Sequence, residues 1–449
     1  MNYTSYKKLI NYLYNGKFNA TLIIIYTIIL FAVSPLFNIN WFALGDFSLS
    51  VINYYHTIMI IFLLLLMIVA CEILNISIKI KKIINASTIP LLIITLIGLI
   101  TFSPTQVTFI NSFFQAFRDF YIFVLGLLFI IYLLIFGFID FKDGKNLTGM
   151  WSAYILLIVS AISTLIAGIF GIVAAGGIYI GYNSISIINV NSYINSLNEN
   201  TTSFINNVVT SHSHQMLPAI MASIVALTAL FLKYDQLNKK LRMIINLGMI
   251  ISIFGVIAMS YIYYISSFGT YSIPALFTSG IGNMNGLALD DMLTGLIGIG
   301  ALITIIGLFQ SMKREYGKNI IVLSIFITWI MVMIALVGMG YFIEFNETYF
   351  GAGSPGIPPN GGPGYLHDLA FIDAHLMYAF FLAPFISLAL LVFLIFSNKK
   401  SNKLIGIFSI AGNILSVIGL FIYVELLSWS ILASGIILIL FSLFLIIYY

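Results

Sequence analysis

Twelve long apolar runs, separated by short polar breaks, decide what this chain can fold into. They lie near residues 19–38, 51–74, 84–103, 119–139, 147–182, 209–232, 243–267, 290–311, 319–343, 369–396, 404–424 and 427–448. A helix that crosses a bilayer needs about 20 predominantly apolar residues. The pattern therefore predicts an all-α, polytopic membrane bundle of about twelve transmembrane helices, a single domain over 1–449, with long outer loops at 183-211 and 345-368. The fifth run is too long for one simple span and predicts a break in its Gly-rich part, 168–181. Membrane β-barrels show only short alternating segments, so continuous runs exclude them. Composition excludes two further classes. Charged residues make up 8% of the 449, where a soluble domain carries about 25%. With 61% hydrophobic and 15% aromatic residues, the chain is also the opposite of a disordered one. The single Cys71 removes disulfide frameworks and cysteine-based metal clusters. The polar, basic stretch before the first run does not read as a cleavable signal.

The few charges divide by side. Alternate breaks hold Lys7, Lys8 and Lys17; Lys79, Lys81 and Lys82; Lys142 and Lys145; Lys233, Lys239, Lys240 and Arg242; Lys313, Arg314 and Lys318; and Lys399, Lys400 and Lys403. These are 18 of the 19 Lys and Arg residues, and Arg118 alone falls on the other side. By the positive-inside rule both termini are cytoplasmic, which predicts a multi-pass protein of the plasma membrane. Ten of the 15 acids sort to the outer side, where they form either a solvated face or an attractive surface for a cationic partner.

All five histidines fall on the outer side or in the outer third of a span: His56, His212, His214, His367 and His375. Polar residues within spans are costly and default to functional hypotheses, and imidazole is a common ligand of haem iron and copper. The ordinary alternative is an interfacial histidine bonded to water or a carbonyl. His212 and His214 are two apart, so on a regular helix they point roughly 200° from each other. One ion is not easily gripped by both. Pro218 follows closely and relaxes the backbone hydrogen bonding there.

With both ends inside and histidines on the second, sixth and tenth spans, the chain resembles subunit I of the haem–copper oxidase and nitric oxide reductase superfamily. The stretch Tyr54-Tyr55-His56-Thr57-Ile58-Met59 is similar to the family's histidine and following apolar run, and Asp373-Ala374-His375-Leu376-Met377 to its His-x-His segment. The resemblance implies a low-spin haem b between His56 and His375. Asp373 stands where the high-spin haem ligand is expected. Ser211-His212-Ser213-His214 keeps a copper-ligand position, so His212 and His214 are candidates for a second metal site. Tyr261-Ile262-Tyr263-Tyr264 has no histidine pair, so two copper ligands are missing. The paired arginines that hold haem propionates are absent near 425–429, and Arg118 or tyrosines would substitute.

The same resemblance implies a haem-binding subunit of a respiratory electron-transfer complex, part of an oxidoreductase without a complete catalytic centre of its own. Its implied partners are the lipid bilayer, other respiratory-complex subunits and an outer-side electron donor or quinol, with no nucleic acid. Two other classes stay open: a twelve-helix secondary transporter, and a scaffold subunit that has lost its cofactors. The Pro/Gly-rich run 351–364 predicts a non-helical outer loop, either a lid or a connector.

Overall fold

The computed structural model describes residues 12–33, 49–101, 109–142, 149–175, 201–268, 287–309, 320–349, 377–397, 402–421 and 425–449. Among them the chain is helical, with no strand: α1 Gly16–Val33, α2 Leu49–Ile73, α3 Ile78–Ala86, α4 Thr88–Ile100, α5 Phe109–Lys142, α6 Trp151–Ala175, α7 Thr201–Phe231, α8 Lys239–Phe268, α9 Leu287–Phe309, α10 Ile320–Tyr349, α11 Ala383–Phe396, α12 Lys403–Phe421 and α13 Glu425–Tyr448. Among the described residues, eight segments are long and apolar enough to cross a membrane. Four shorter apolar stretches lie in α7, α9, α10 and α11. Every apolar run of the sequence coincides with one of these twelve.

Three boundaries differ from expectation. The run 84–103 is met by two helices, α3 and α4, joined at Ser87. Pro90 is the reason: it has no N–H for the carbonyl of Ala86, so the chain re-starts and tolerates the proline in the first turn of α4. The expected break does not come at Gly168, because α6 runs unbroken through Gly168 and Gly171 to Ala175; 176–181 lie outside the described residues. Residues 201–211, expected in an outer loop, are the first three turns of α7. Loop 351–364 lies outside the described residues.

Asparagine opens three helices. Asn15 Oδ1 accepts from Phe18 N at 3.1 Å, Asn238 Oδ1 from Leu241 N at 2.9 Å, and Asn402 Oδ1 from Leu404 N at 3.2 Å. Each satisfies an amide that a helix start leaves orphaned. Two helix ends need a left-handed residue. After α2, Asn75 has φ 50°, with Ile76 N bonded to Cys71 O and Asn75 N to Glu72 O, the paired bonds of a Schellman motif. After α7 the residue is Lys233, with φ 48°. A left-handed conformation costs a side chain about 1–2 kcal/mol, and glycine escapes that cost. Lys233→Gly is therefore expected to stabilise the protein by about 1 kcal/mol, read as a raised melting temperature in detergent; a lower one would show that the lysine has a compensating role.

The helices form two compact units, one of Met1–Ile122 with Phe309–Tyr449 and one of Phe123–Leu308. At the centre of the first lie α2 and α11. Every residue from Ala383 to Leu394 is buried, and α2 is covered almost all round from Ile58 to Cys71. A helix apolar on all sides belongs in such a core. Around them, α10 packs on α12 and α12 on α13. In the second unit α6, α7 and α8 pack mutually. Near its basic turn, the Ser152 and Tyr234 hydroxyls lie 2.5 and 3.0 Å from Asn246 Oδ1 and 2.9 Å from each other, so Tyr234 donates to Asn246 and the one serine proton serves either neighbour. Burial pushes the Tyr234 phenol above its ordinary pKa, so it keeps the proton it donates to Asn246.

Candidate functional site

The two central helices of the first unit are also the two that the histidine pattern singles out. His56 sits in α2 and is half-buried; Asn53, Tyr54 and Thr57 around it are buried. His375 lies outside the described residues, as do His367 and Asp373. Two residues after His375 the chain enters a π-helical turn, Met377–Leu382, which leads into α11. Pro384 accounts for its position. It gives no N–H to the carbonyl of Phe380 and its ring crowds that carbonyl, and a wider turn upstream relieves both. Tyr378 pins the turn to α12, its hydroxyl donating to Asn413 Oδ1 at 2.8 Å.

Ring contacts set α2 against this segment. Tyr55 stacks on Phe381 with centroids 5.2 Å apart, and Phe62 meets Phe385 at 6.3 Å. Both pairs advance in the same chain direction, so the two helices run parallel. The helix carrying His56 and the helix entered just after His375 are thus packed neighbours with aromatic rings between them.

Arg118, the one cation set apart from the basic breaks, is buried, 1% exposed, ten residues into α5. Its Nη1 donates to Asn53 Oδ1 at 2.9 Å and Thr57 Oγ1 at 3.1 Å, and its Nε to Asp119 Oδ1 at 2.8 Å. Asn53 and Thr57 are one helical turn apart, which sets them on one face of α2. His56 lies at the edge of that face. Asn53 in turn donates to Gly98 O, so the cluster joins α2, α4 and α5.

In the second unit, α7 carries His212 and His214 two positions apart in one uninterrupted helix. The Nδ1 of His212 is 2.6 Å from Ala167 O on α6. A carbonyl cannot donate, so Nδ1 carries the proton and a neutral ring presents Nε2 as an acceptor. Gly171 makes room for this ring: a Cβ there would stand 2.8 Å from His212 Cε1. One turn along α7, Gln215 Nε2 donates to Ser163 O and Oγ, both at 3.2 Å, and Ser163 meets Ser260 at 2.7 Å. Of His214 only the backbone is described. Among the described residues no group of three or more His, Cys, Asp or Glu converges on one point. Tyr261 and Tyr264 are exposed, while Tyr263 is buried.

Gln215 is a buried polar residue that the pattern of charges and histidines does not single out. No protein-family model, curated protein or solved structure matches the chain.

Proposed function

We propose that the chain is a haem-binding membrane subunit of an electron-transfer complex, with a low-spin haem b held between His56 and His375. One observation carries this reading: α2, which bears His56, and the segment entered just after His375 are parallel, adjacent and central to their unit. A bundle core between facing helices is where such cofactors are held. Tyr55, Phe381, Phe62 and Phe385 offer flat apolar surface along that seam. His56 would supply a neutral imidazole from one side and His375 from the other. A haem bound at both axial positions passes single electrons and has no open site for oxygen. Copper at His212 and His214 gains no such support, because the His212 ring turns to Ala167 O on α6.

Twelve spans, cytoplasmic termini, a place in the plasma membrane, respiratory partner subunits and an outer-side donor or quinol belong to the same proposal. A secondary transporter is the second reading, and Arg118 favours it, since an ionised residue buried within a span is a feature of coupled transport.

The test is a visible spectrum of the purified protein before and after dithionite. A sharp reduced α-band, lost in both His56→Ala and His375→Ala, is the expected result. A colourless preparation from haem-replete cells overturns the haem reading and leaves the transporter or a cofactor-free scaffold. Carbon monoxide binding to the reduced form would contradict two histidine ligands.

A further inference from the structure

The short helix α3, Ile78–Ala86, is the amphipathic piece of an otherwise apolar stretch, set between the long apolar helices α2 and α4. One side is turned inward: Ile84 and Asn85 are buried, and Asn85 Nδ2 donates to Tyr14 O at 3.4 Å. The other side is open. Ile78 is 69% and Ile83 49% exposed, and Lys79 and Lys82 are exposed between them. At about 100° per residue the order around the helix is Ile78, Lys82, Lys79, Ile83, an arc of about 140° with two cations bracketed by two isoleucines. Lys81 lies outside this arc and is engaged, its Nζ 2.9 Å from Glu72 Oε2. Lys82 is held in place, with Nζ 5.4 Å from the centroid of the half-exposed Tyr14 ring.

We propose that the exposed face of α3 binds an anionic phospholipid, its phosphate held by Lys79 and Lys82 and its acyl chains lying along Ile78 and Ile83. A pair of cations flanked on both sides by branched aliphatics suits an amphiphile better than either a free anion or a purely apolar surface. A helix with lysines and bulky apolar residues at the end of a span sits at the boundary between headgroup and acyl chain. Lys17, exposed three residues after Tyr14, adds to the positive field. Nothing in this site depends on haem.

The test uses the full chain, reconstituted in nanodiscs of phosphatidylcholine alone or mixed with phosphatidylglycerol, then extracted and weighed intact by mass spectrometry. The wild type is expected to carry phosphatidylglycerol several-fold more than the Lys79→Gln/Lys82→Gln variant. Lys81→Gln is expected to match the wild type, and Lys79→Arg/Lys82→Arg to restore binding. Because Lys79 and Lys82 are exposed, their replacement leaves the fold intact, which a melting curve checks. Equal phosphatidylglycerol on the wild type and the double glutamine variant overturns the proposal. Equal retention of phosphatidylcholine, or displacement of the lipid by inorganic phosphate, does the same.

Discussion

Arg118→Leu is expected to lower stability by about 2–3 kcal/mol, and to do so by unfastening α5 from α2. Each hydrogen bond to a charged group contributes about 1.5–3 kcal/mol, and three bonds depart with the guanidinium. Two effects work against the full loss. The leucine relieves the desolvation of a buried cation, and Asp119, whose side chain is 39% exposed, can rehydrate. The larger penalty, about 3–5 kcal/mol, applies when a buried charge is left alone. Here the partners left inside are the neutral Asn53 and Thr57, so the lower figure holds. Arg118→Lys should recover only part of the loss, since a single ammonium cannot serve Asn53 and Asp119 from two edges as the planar fork does. Thermal unfolding in detergent reads both. In a double-mutant cycle, Asn53→Leu should cost much less when Arg118 is already leucine. Strictly additive costs would show that the two side chains do not act together.

The other large effect concerns a glycine. A Cβ on Gly248 of α8 would lie 2.6 Å from the carbonyl oxygen of Gly300 on α9 and 2.8 Å from Thr304 N. Those atoms are backbone and cannot turn aside, so Gly248→Ala must push the helices apart. The expected cost is about 2–3 kcal/mol, in the range of overpacking. Gly295 on α9 is the internal control. Nothing lies within 4 Å of its would-be Cβ, so Gly295→Ala should raise stability by up to about 1 kcal/mol through helix propensity alone. Two identical substitutions thus carry opposite signs. Melting temperatures that moved together would refute the close approach of α8 and α9.

Hydropathy reveals the twelve apolar segments because the helix satisfies its own backbone while its side chains must be apolar wherever they meet lipid or a packed core. It fails where polar residues are helical. The start of α7 reads as a loop by composition, yet Phe204, Val208, Ser211 and Gln215 are all buried, and their spacing of four, three and four is that of one helix face. Arg118 is legible by the same arithmetic, since Gln115, Arg118, Ile122, Leu125 and Phe129 form the buried stripe of α5. Small residues carry a further pattern that hydropathy does not weigh. Gly248-x3-Ser252-x2-Gly255, Gly300-x3-Thr304-x2-Gly307 and Gly412-x3-Ser416-x2-Gly419 repeat one spacing. In each, at least one glycine meets a partner helix at backbone distance, the close approach that small residues permit within membranes. Of the histidine pair, His56 is the member among the described residues, and the sequence pattern supplies the other.

The π turn Met377–Leu382 sets a rotational phase. An extra residue in a helix turns everything upstream by about 100° relative to everything downstream. Met377 and Tyr378 therefore sit at a phase that an uninterrupted α-helix with the same α11 could not give them. Tyr378, held by Asn413, keeps that offset from sliding along the chain. A one-residue deletion between 379 and 382 would leave α11 in place and swing Tyr378 away from Asn413 by more than a quarter turn.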